Sequence, residues 1–141
     1  MGCYIDTSAL VALCAQEPNS DAVDDWYRKT KVVLYSSVWT VPEFASAISV
    51  KKRRGDLTLQ QASKAWTSFQ LMCARDLRLL KIESRTFHKA AEFVRDPHAT
   101  LRGGDALHVA CTLAARIPLA LTLDKKMARS LLGLNIALVQ L

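Results

Sequence analysis

The chain has 141 residues, of which 50% are hydrophobic and 23% charged, and its formal net charge is +6. This is the composition of an ordinary globular protein, and the length fits one domain spanning residues 1–141 that needs neither disulfides nor a structural metal to fold. No segment is long and apolar enough for a transmembrane helix. The positive charge is compatible with a polyanionic partner such as RNA or DNA.

The four cysteines are far apart in the sequence and form no C-x-x-C pair. They are Cys3, Cys14, Cys73 and Cys111. Each lies in an apolar context, which predicts reduced thiols, and a zinc site would need more closely spaced ligands. The N-terminus lacks the basic region and apolar run of a signal peptide, so we expect a cytoplasmic protein with no membrane association.

Apolar strands alternate with helices along the chain. In the first half we predict, in order, the strand Cys3–Ile5, the helices Ala9–Ala15 and Asp21–Lys29, the strand Val32–Tyr35, and the helices Pro42–Arg54 and Leu59–Cys73. In the second half we predict the strand Leu77–Ile82, the helices Ser84–Val94 and Asp105–Ala115, the strand Leu119–Leu123, the helix Lys125–Leu132 and the strand Ile136–Gln140. This alternation predicts a parallel sheet covered by helices on both sides, an α/β/α sandwich.

Four acidic residues stand where a predicted strand or turn gives way to a helix: Asp6, Glu43, Asp105 and Asp124. In an open parallel sheet the carboxyl ends of the strands face one edge, so these side chains can converge there. Clustered carboxylates repel one another and require a cation, and hard oxygen ligands suit Mg²⁺ or Mn²⁺. Each acid also has a purely structural explanation, since it can cap the N–H groups at the start of a helix.

The ordered set of acidic motifs resembles that of PIN-domain ribonucleases. The motifs are Tyr4-Ile5-Asp6-Thr7-Ser8-Ala9-Leu10, Pro42-Glu43-Phe44, Gly104-Asp105-Ala106-Leu107-His108 and Leu121-Thr122-Leu123-Asp124-Lys125-Lys126. The resemblance covers essentially the whole chain, and the small size is similar to that of the VapC-type toxins of bacterial toxin–antitoxin pairs. It implies a PIN-like sandwich with a five-stranded parallel sheet.

The resemblance also implies an activity, a cofactor and partners. The activity is that of a Mg²⁺- or Mn²⁺-dependent endoribonuclease in which Asp6, Glu43, Asp105 and Asp124 hold the metal, with Asp6 and Asp105 as the most direct ligands. The implied partners are RNA, a small antitoxin that covers the site, and a second copy of the chain. Helices two to four are the expected dimer interface, with four candidate contacts: Trp66, Phe69, Leu71 and Met72.

Residues near the acids have predicted supporting roles. Three hydroxyl side chains can orient carboxylates or water: Thr7, Ser8 and Thr122. Four basic side chains are well placed to hold an RNA backbone: Arg102, Lys125, Lys126 and Arg129. His108, one helical turn after Asp105, is expected to be a packed histidine and not a metal ligand.

Three alternative functions also use an α/β fold with acidic residues at strand ends. The first two fit this sequence less well than a ribonuclease, and the third remains open. A haloacid-dehalogenase-type phosphatase would need an aspartate where Ser8 stands. A response-regulator receiver would need an aspartate at the end of the third strand, where Ile82 is followed by Glu83. A catalytically inactive PIN-like module that binds RNA or protein remains open, because the sequence retains all four acids but does not demonstrate cleavage.

Overall fold

The computed structural model describes residues 1–141 and contains one sheet of five parallel strands in the order β3-β2-β1-β4-β5. The strands are β1 Gly2–Ile5, β2 Val33–Ser37, β3 Leu77–Leu80, β4 Leu119–Leu121 and β5 Ala137–Leu138. The chain proceeds outward from β1 to β3 and then crosses to the other side of β1 with β4. The strand order therefore reverses between β1 and β4, and ligands of open α/β sheets bind outside the carboxyl ends at such a reversal.

Seven helices cover the two faces of the sheet. They are α1 Thr7–Cys14, α2 Ser20–Lys29, α3 Thr40–Arg54, α4 Leu59–Arg75, α5 Ser84–Arg95, α6 Gly103–Ala114 and α7 Lys125–Gly133. Helices α1 to α4 enclose one hydrophobic core and α5 to α7 enclose the other. This is the predicted three-layer α/β/α sandwich with a five-stranded parallel sheet. None of the helices combines the length and apolar character of a membrane span.

The central strand β1 explains why the N-terminal sequence is continuously apolar. Cys3 and Ile5 are buried in the first core, and Tyr4 between them is buried in the second. Successive side chains of a strand point to opposite faces, so a strand covered on both sides has no solvent face for polar residues. The first polar side chain after this strand is that of Asp6, at the edge where the sheet ends.

Three of the predicted helices begin two residues earlier than the sequence suggested, and one of them is α1, which starts at Thr7 instead of Ala9. Helix α3 starts at Thr40 and α6 at Gly103, two residues before the predicted starts at Pro42 and Asp105. Glu43 and Asp105 therefore lie within the first turns of these helices. A carboxylate there still faces the partly positive end of the helix dipole.

Strand β4 ends at Leu121, two residues before the predicted end. The backbone N–H of Leu123 donates to Ser8 Oγ (2.9 Å) and that of Asp124 donates to Thr122 Oγ1 (3.0 Å). Side-chain hydroxyls therefore take the hydrogen bonds that a longer strand would use for pairing. The early end of β4 follows from the same polar residues that surround the acids.

Helix α4 packs into the hydrophobic core with side chains that were expected at a dimer interface. Phe69 and Met72 are buried, and the Phe69 ring stacks on Phe44 with 4.2 Å between centroids. Trp66 is partly buried against the same cluster. Core packing thus accounts for these three side chains, and Leu71, 48% exposed, is the one candidate contact that is open to solvent.

Candidate active site

The four predicted acids lie near one another at the carboxyl edge of the sheet, around the reversal between β1 and β4. Asp6 directly follows β1, and Asp124 follows β4 by way of a short turn. Burial raises the pKa of the Asp105 carboxyl, and the negative charges of Asp124, Glu43 and Asp6 raise it further, opposed by His108. The charges of the other three acids all act on Asp105, so the four carboxylates form one electrostatic site.

Asp6 is the most deeply buried of the acids, with 3% of its surface exposed. Its Oδ1 accepts hydrogen bonds from Ser8 Oγ (2.7 Å) and the backbone N–H of Ala9 (3.1 Å), and Oδ2 accepts one from Thr122 Oγ1 (2.6 Å). Burial raises the pKa of this carboxyl, although the charge of His108 and the three hydrogen bonds favour the charged form. The carboxylate is therefore held rigidly, as the N-cap of α1.

Two of the three predicted orienting hydroxyls connect the end of β1 to the segment after β4. Ser8 Oγ donates to Asp6 and accepts from the backbone of Leu123, while Thr122 Oγ1 donates to Asp6 and accepts from the backbone of Asp124. Each hydroxyl thus uses both its donor and an acceptor lone pair. Together they fix the position of Asp124 relative to Asp6.

Glu43 is held by two donors on one of its oxygens. Thr7 Oγ1 donates to Oε1 (2.6 Å), and His108 Nε2 is hydrogen-bonded to the same oxygen. Burial disfavours the charged carboxylate, but the hydrogen bond and charge of His108 and the hydrogen bond of Thr7 outweigh it and lower the Glu43 pKa. On its far side, His108 Nδ1 lies 2.7 Å from the Tyr4 hydroxyl.

The second oxygen of Glu43 lies against the start of α6. A Cβ atom at Gly104 would come within 2.8 Å of Glu43 Oε2 and 3.2 Å of Trp39 Nε1. Glycine at this position therefore provides the space in which the carboxylate and the indole sit. Trp39 Nε1 is buried there without a well-formed hydrogen bond.

Helix capping explains two of the acids and not the other two. Asp6 and Asp124 each accept a hydrogen bond from a backbone N–H three residues later, as N-caps of α1 and α7. The Glu43 carboxylate bonds to side chains only, and the Asp105 carboxylate accepts no hydrogen bond from the protein. Capping therefore does not account for the half-buried Asp105 carboxylate, whose charge faces the helix dipole but has no hydrogen-bond partner.

A cleft of about 510 Å³ opens beside Asp105 and Asp124. Its other lining residues are Thr100, Arg102, Leu123, Lys125 and Lys126. Three of the four predicted RNA-binding side chains thus line the same cleft as two of the acids, and the fourth, Arg129, lies one turn further along α7, exposed. A groove lined by basic side chains and carboxylates can bind a phosphate chain and bring one phosphate to a metal ion.

The chemistry of this donor set fits a hard divalent cation, although no group of three or more His, Cys, Asp or Glu side chains is arranged to hold one directly. The Asp105 carboxylate is free, and Asp124 uses only Oδ1 for its cap. Mg²⁺ keeps several waters and is commonly bound through one or two carboxylates. Asp105 and Asp124 therefore fit direct ligands better than Asp6, which the sequence analysis expected in that role but whose two oxygens already accept hydrogen bonds. Asp6 and Glu43 would add negative charge around a bound cation.

His108 has a larger part in the site than its sequence position suggested. It is packed, with 1% of its surface exposed, but it also bonds to Glu43 and lies 3.3 Å from Thr7 Oγ1. Its spacing of three from Asp105 was the available signal, because residues at that spacing share one face of a helix. Its contact with Glu43, 65 positions away, could not be read from the sequence.

Comparison with known proteins defines the family: the PIN domain model matches residues 3–130, so this chain belongs to the PIN domain family. Among solved structures it is similar to VapC20 of Mycobacterium tuberculosis, a toxin that cleaves the sarcin-ricin loop. The two share 18% identity and a TM-score of 0.73, over 91% of this chain and 94% of VapC20.

Two further solved structures share the fold. FitAcB of Neisseria gonorrhoeae matches with 14% identity and a TM-score of 0.66, over 98% of this chain and 96% of that one. VapBC2 of Rickettsia felis, solved on a DNA fragment from its promoter, matches with 13% identity and a TM-score of 0.66, over 99% and 98% of the two chains. No curated protein sequence matches this chain.

Proposed function

We propose that this chain is a metal-dependent endoribonuclease of the VapC toxin type, with Asp6, Glu43, Asp105 and Asp124 as its catalytic acids. The observation that carries the proposal is the unpartnered Asp105 carboxylate, whose pKa is raised by burial and by the other three acids. It lies beside a cationic cleft in a PIN-domain fold. A fold that needed only stable helices would not place four mutually repelling carboxylates there.

The proposed cofactor is Mg²⁺, with Mn²⁺ as the other candidate. Asp105 and Asp124 would hold it most directly, and Asp6 and Glu43 would complete the negative environment. When bound, such an ion activates water and neutralises charge on the scissile phosphate. We expect the hydroxyls of Thr7, Ser8 and Thr122 to keep the acids in position, because all three already bond to carboxylates.

The proposed substrate is RNA. Arg102, Lys125 and Lys126 line the cleft beside the acids, and Arg129 extends the positive surface along α7. Their charges would hold successive phosphates so that one reaches the carboxylates. Cations placed this way bind the backbone and do not read the sequence of the RNA.

The proposed partners follow from the toxin class. A small antitoxin would neutralise the enzyme by covering the cleft, which is consistent with the similarity to FitAcB and VapBC2. We also propose that the single domain of residues 1–141 forms a homodimer and acts in the cytoplasm. The four free cysteines are consistent with that reducing compartment.

The decisive experiment is to incubate the purified protein with total cellular RNA in Mg²⁺, in Mn²⁺ and in EDTA. Asp105→Asn serves as the inactive variant, because Asp105 makes no structural hydrogen bond, and Asp21→Asn on exposed α2 is the matched control. We expect discrete, metal-dependent products with wild type and Asp21→Asn and none with Asp105→Asn. Failure of folded, antitoxin-free wild type to cut in either metal would favour the inactive binding module instead.

A further inference from the structure

Three side chains from three separate elements form a continuous buried line that ends at an acid of the site. Tyr4 comes from β1, His108 from α6 and Glu43 from α3. Tyr4 and His108 are 2% and 1% exposed, and their rings meet edge to face at 5.7 Å between centroids. Polar side chains that are buried this completely destabilise the fold unless they are hydrogen-bonded, and both of these are.

The direction of the hydrogen bond between His108 and Glu43 follows from the chemistry of the two groups. A carboxylate only accepts, so with Glu43 charged the Nε2 of His108 must carry the hydrogen that points at Oε1. On the other side of the ring, the Tyr4 hydroxyl lies 2.7 Å from His108 Nδ1, within hydrogen-bond distance. Both ring nitrogens of His108 therefore have a hydrogen-bond partner, which holds the imidazole in one orientation.

The bonds to Oε1 leave the two oxygens of Glu43 in different states. Oε1 accepts from Thr7 and His108, whereas Oε2 lies toward Gly104, the neighbour of Asp105. A carboxylate held only by a flexible side chain would rotate between these states. Two fixed donors on one oxygen oppose this rotation and keep the other oxygen beside Gly104 and the indole of Trp39.

We propose that His108 is a positioning residue that fixes the Glu43 carboxylate in one orientation, and that the Tyr4 hydroxyl holds the imidazole ring where it can do so. This inference rests on the proposed ribonuclease function for its effect on rate. His108 itself would touch neither the RNA nor the metal. Its role would be to present Oε2 of Glu43 to them.

Two substitutions of similar volume separate this role from simple packing. His108→Gln can retain an N–H donor near the position of Nε2, whereas His108→Leu fills the space and removes the donor. We expect His108→Leu to lower kcat on RNA by about 10- to 100-fold with little change in KM, since loss of such a supporting contact has effects of this size. His108→Gln should recover most of that loss. Tyr4→Phe, which removes only the hydroxyl, should fall between them.

A measurement without substrate tests the same arrangement. Calorimetric titration with Mn²⁺ alone should show weaker binding to His108→Leu, by about 10-fold or more, and near wild-type binding to His108→Gln. The imidazole ¹⁵N spectrum should show one histidine whose Nε2 carries a hydrogen that is held in a hydrogen bond. His88→Gln and His98→Gln, at exposed positions, assign the two other histidine signals.

Two results would overturn the inference: an unprotonated Nε2 on His108, or a folded His108→Leu variant with wild-type kcat and Mn²⁺ affinity. If His108→Leu does not fold, the ¹⁵N spectrum and the His108→Gln variant test the inference. A folded His108→Gln variant that has lost its activity would also contradict the role of the N–H donor. A wild-type protein that cuts no RNA would reject the proposed function, while the spectrum and the Mn²⁺ titration would still judge the positioning role.

Discussion

Thr122 Oγ1 donates a hydrogen bond of 2.6 Å to Oδ2 of Asp6, 116 positions away in the sequence. The same oxygen accepts the backbone N–H of Asp124 at 3.0 Å. One hydroxyl therefore connects two acids from neighbouring strands at the point where the strand order reverses. The relative position of Asp6 and Asp124 depends on this contact as much as on the sheet itself.

Replacing Thr122 tests that dependence. Thr122→Val keeps the shape but removes the hydroxyl, so we expect cleavage to fall by about 10-fold or more and the free energy of unfolding by about 1–3 kcal/mol, because a buried acceptor of Asp6 loses its donor. Thr122→Ser keeps the hydroxyl and should retain most of both. Kinetics and urea denaturation measure the two effects. Wild-type values for Thr122→Val would show that the contact is dispensable.

The free carboxylate of Asp105 should cost stability when no metal is bound. Its pKa is raised above the usual 3.8, so the folded state binds this proton more tightly than the unfolded chain. Stability contributed by this group is then lost as pH rises from about 3.8 through the raised pKa, and it stays low at higher pH.

Asp105→Asn removes that loss. In EDTA, we expect its melting temperature to exceed that of wild type at neutral pH, and the difference to grow as pH rises through the same window. Thermal unfolding at a series of pH values measures the difference. A melting temperature below that of wild type at neutral pH would mean that Asp105 supports the fold.

Asp6 should behave in the opposite way when its side chain is truncated. Its carboxylate accepts three hydrogen bonds and caps α1, so Asp6→Ala leaves Ser8, Thr122 and the backbone of Ala9 without their acceptor. We expect a loss of about 1–3 kcal/mol in the free energy of unfolding, besides the loss of cleavage. Asp105→Ala, measured beside it in EDTA, should show no such loss. Equal destabilisation by both would contradict the distinction between a structural and an unpartnered acid.

The two adjacent glycines at the start of α6 provide a matched pair. Ala at Gly104 would bring its Cβ within 2.8 Å of Glu43 Oε2, whereas Ala at Gly103 meets nothing within 4 Å. We expect Gly104→Ala to displace Glu43 and reduce cleavage by about 10- to 100-fold. Gly103→Ala should retain activity and add about 0.5 kcal/mol of stability. Normal activity in Gly104→Ala would show that Glu43 tolerates movement.

The basic residues of the cleft should contribute through salt-sensitive contacts with phosphates. Binding is measured with proteins that also carry Asp105→Asn, so that the RNA is not cleaved. Lys125→Ala and Lys126→Ala should each lower the slope of log affinity against log salt by about 0.7 for single-stranded RNA. Fluorescence anisotropy at several salt concentrations measures the slope. Lys64→Ala, at an exposed position on α4 outside the cleft, is the control and should leave it unchanged. Equal slopes for all variants would exclude this cleft as the RNA path.

Much of the fold could be predicted because its signals are local. Three such signals are present in the structure, and each involves neighbouring residues. They are the continuous apolar run of β1, the glycine that ends α3, Gly55, and the capping box formed by Thr58 and Gln61. Because the strands are apolar on both faces, helices must cover both sides of the sheet. Boundaries were less accurate at β4, where side-chain hydroxyls of distant residues replaced strand pairing.

The sequence by itself determined which four acids are present, the order in which they occur, and that a parallel sheet could bring them to one edge. Only the tertiary structure decided that Asp6 is bound on both oxygens, that Asp105 is free, and that His108 holds Glu43. The physical reason is that strand periodicity and helix caps are set by near neighbours, whereas these contacts join residues 65 and 116 positions apart. Their existence depends on strand order and register, which arise when the whole chain packs.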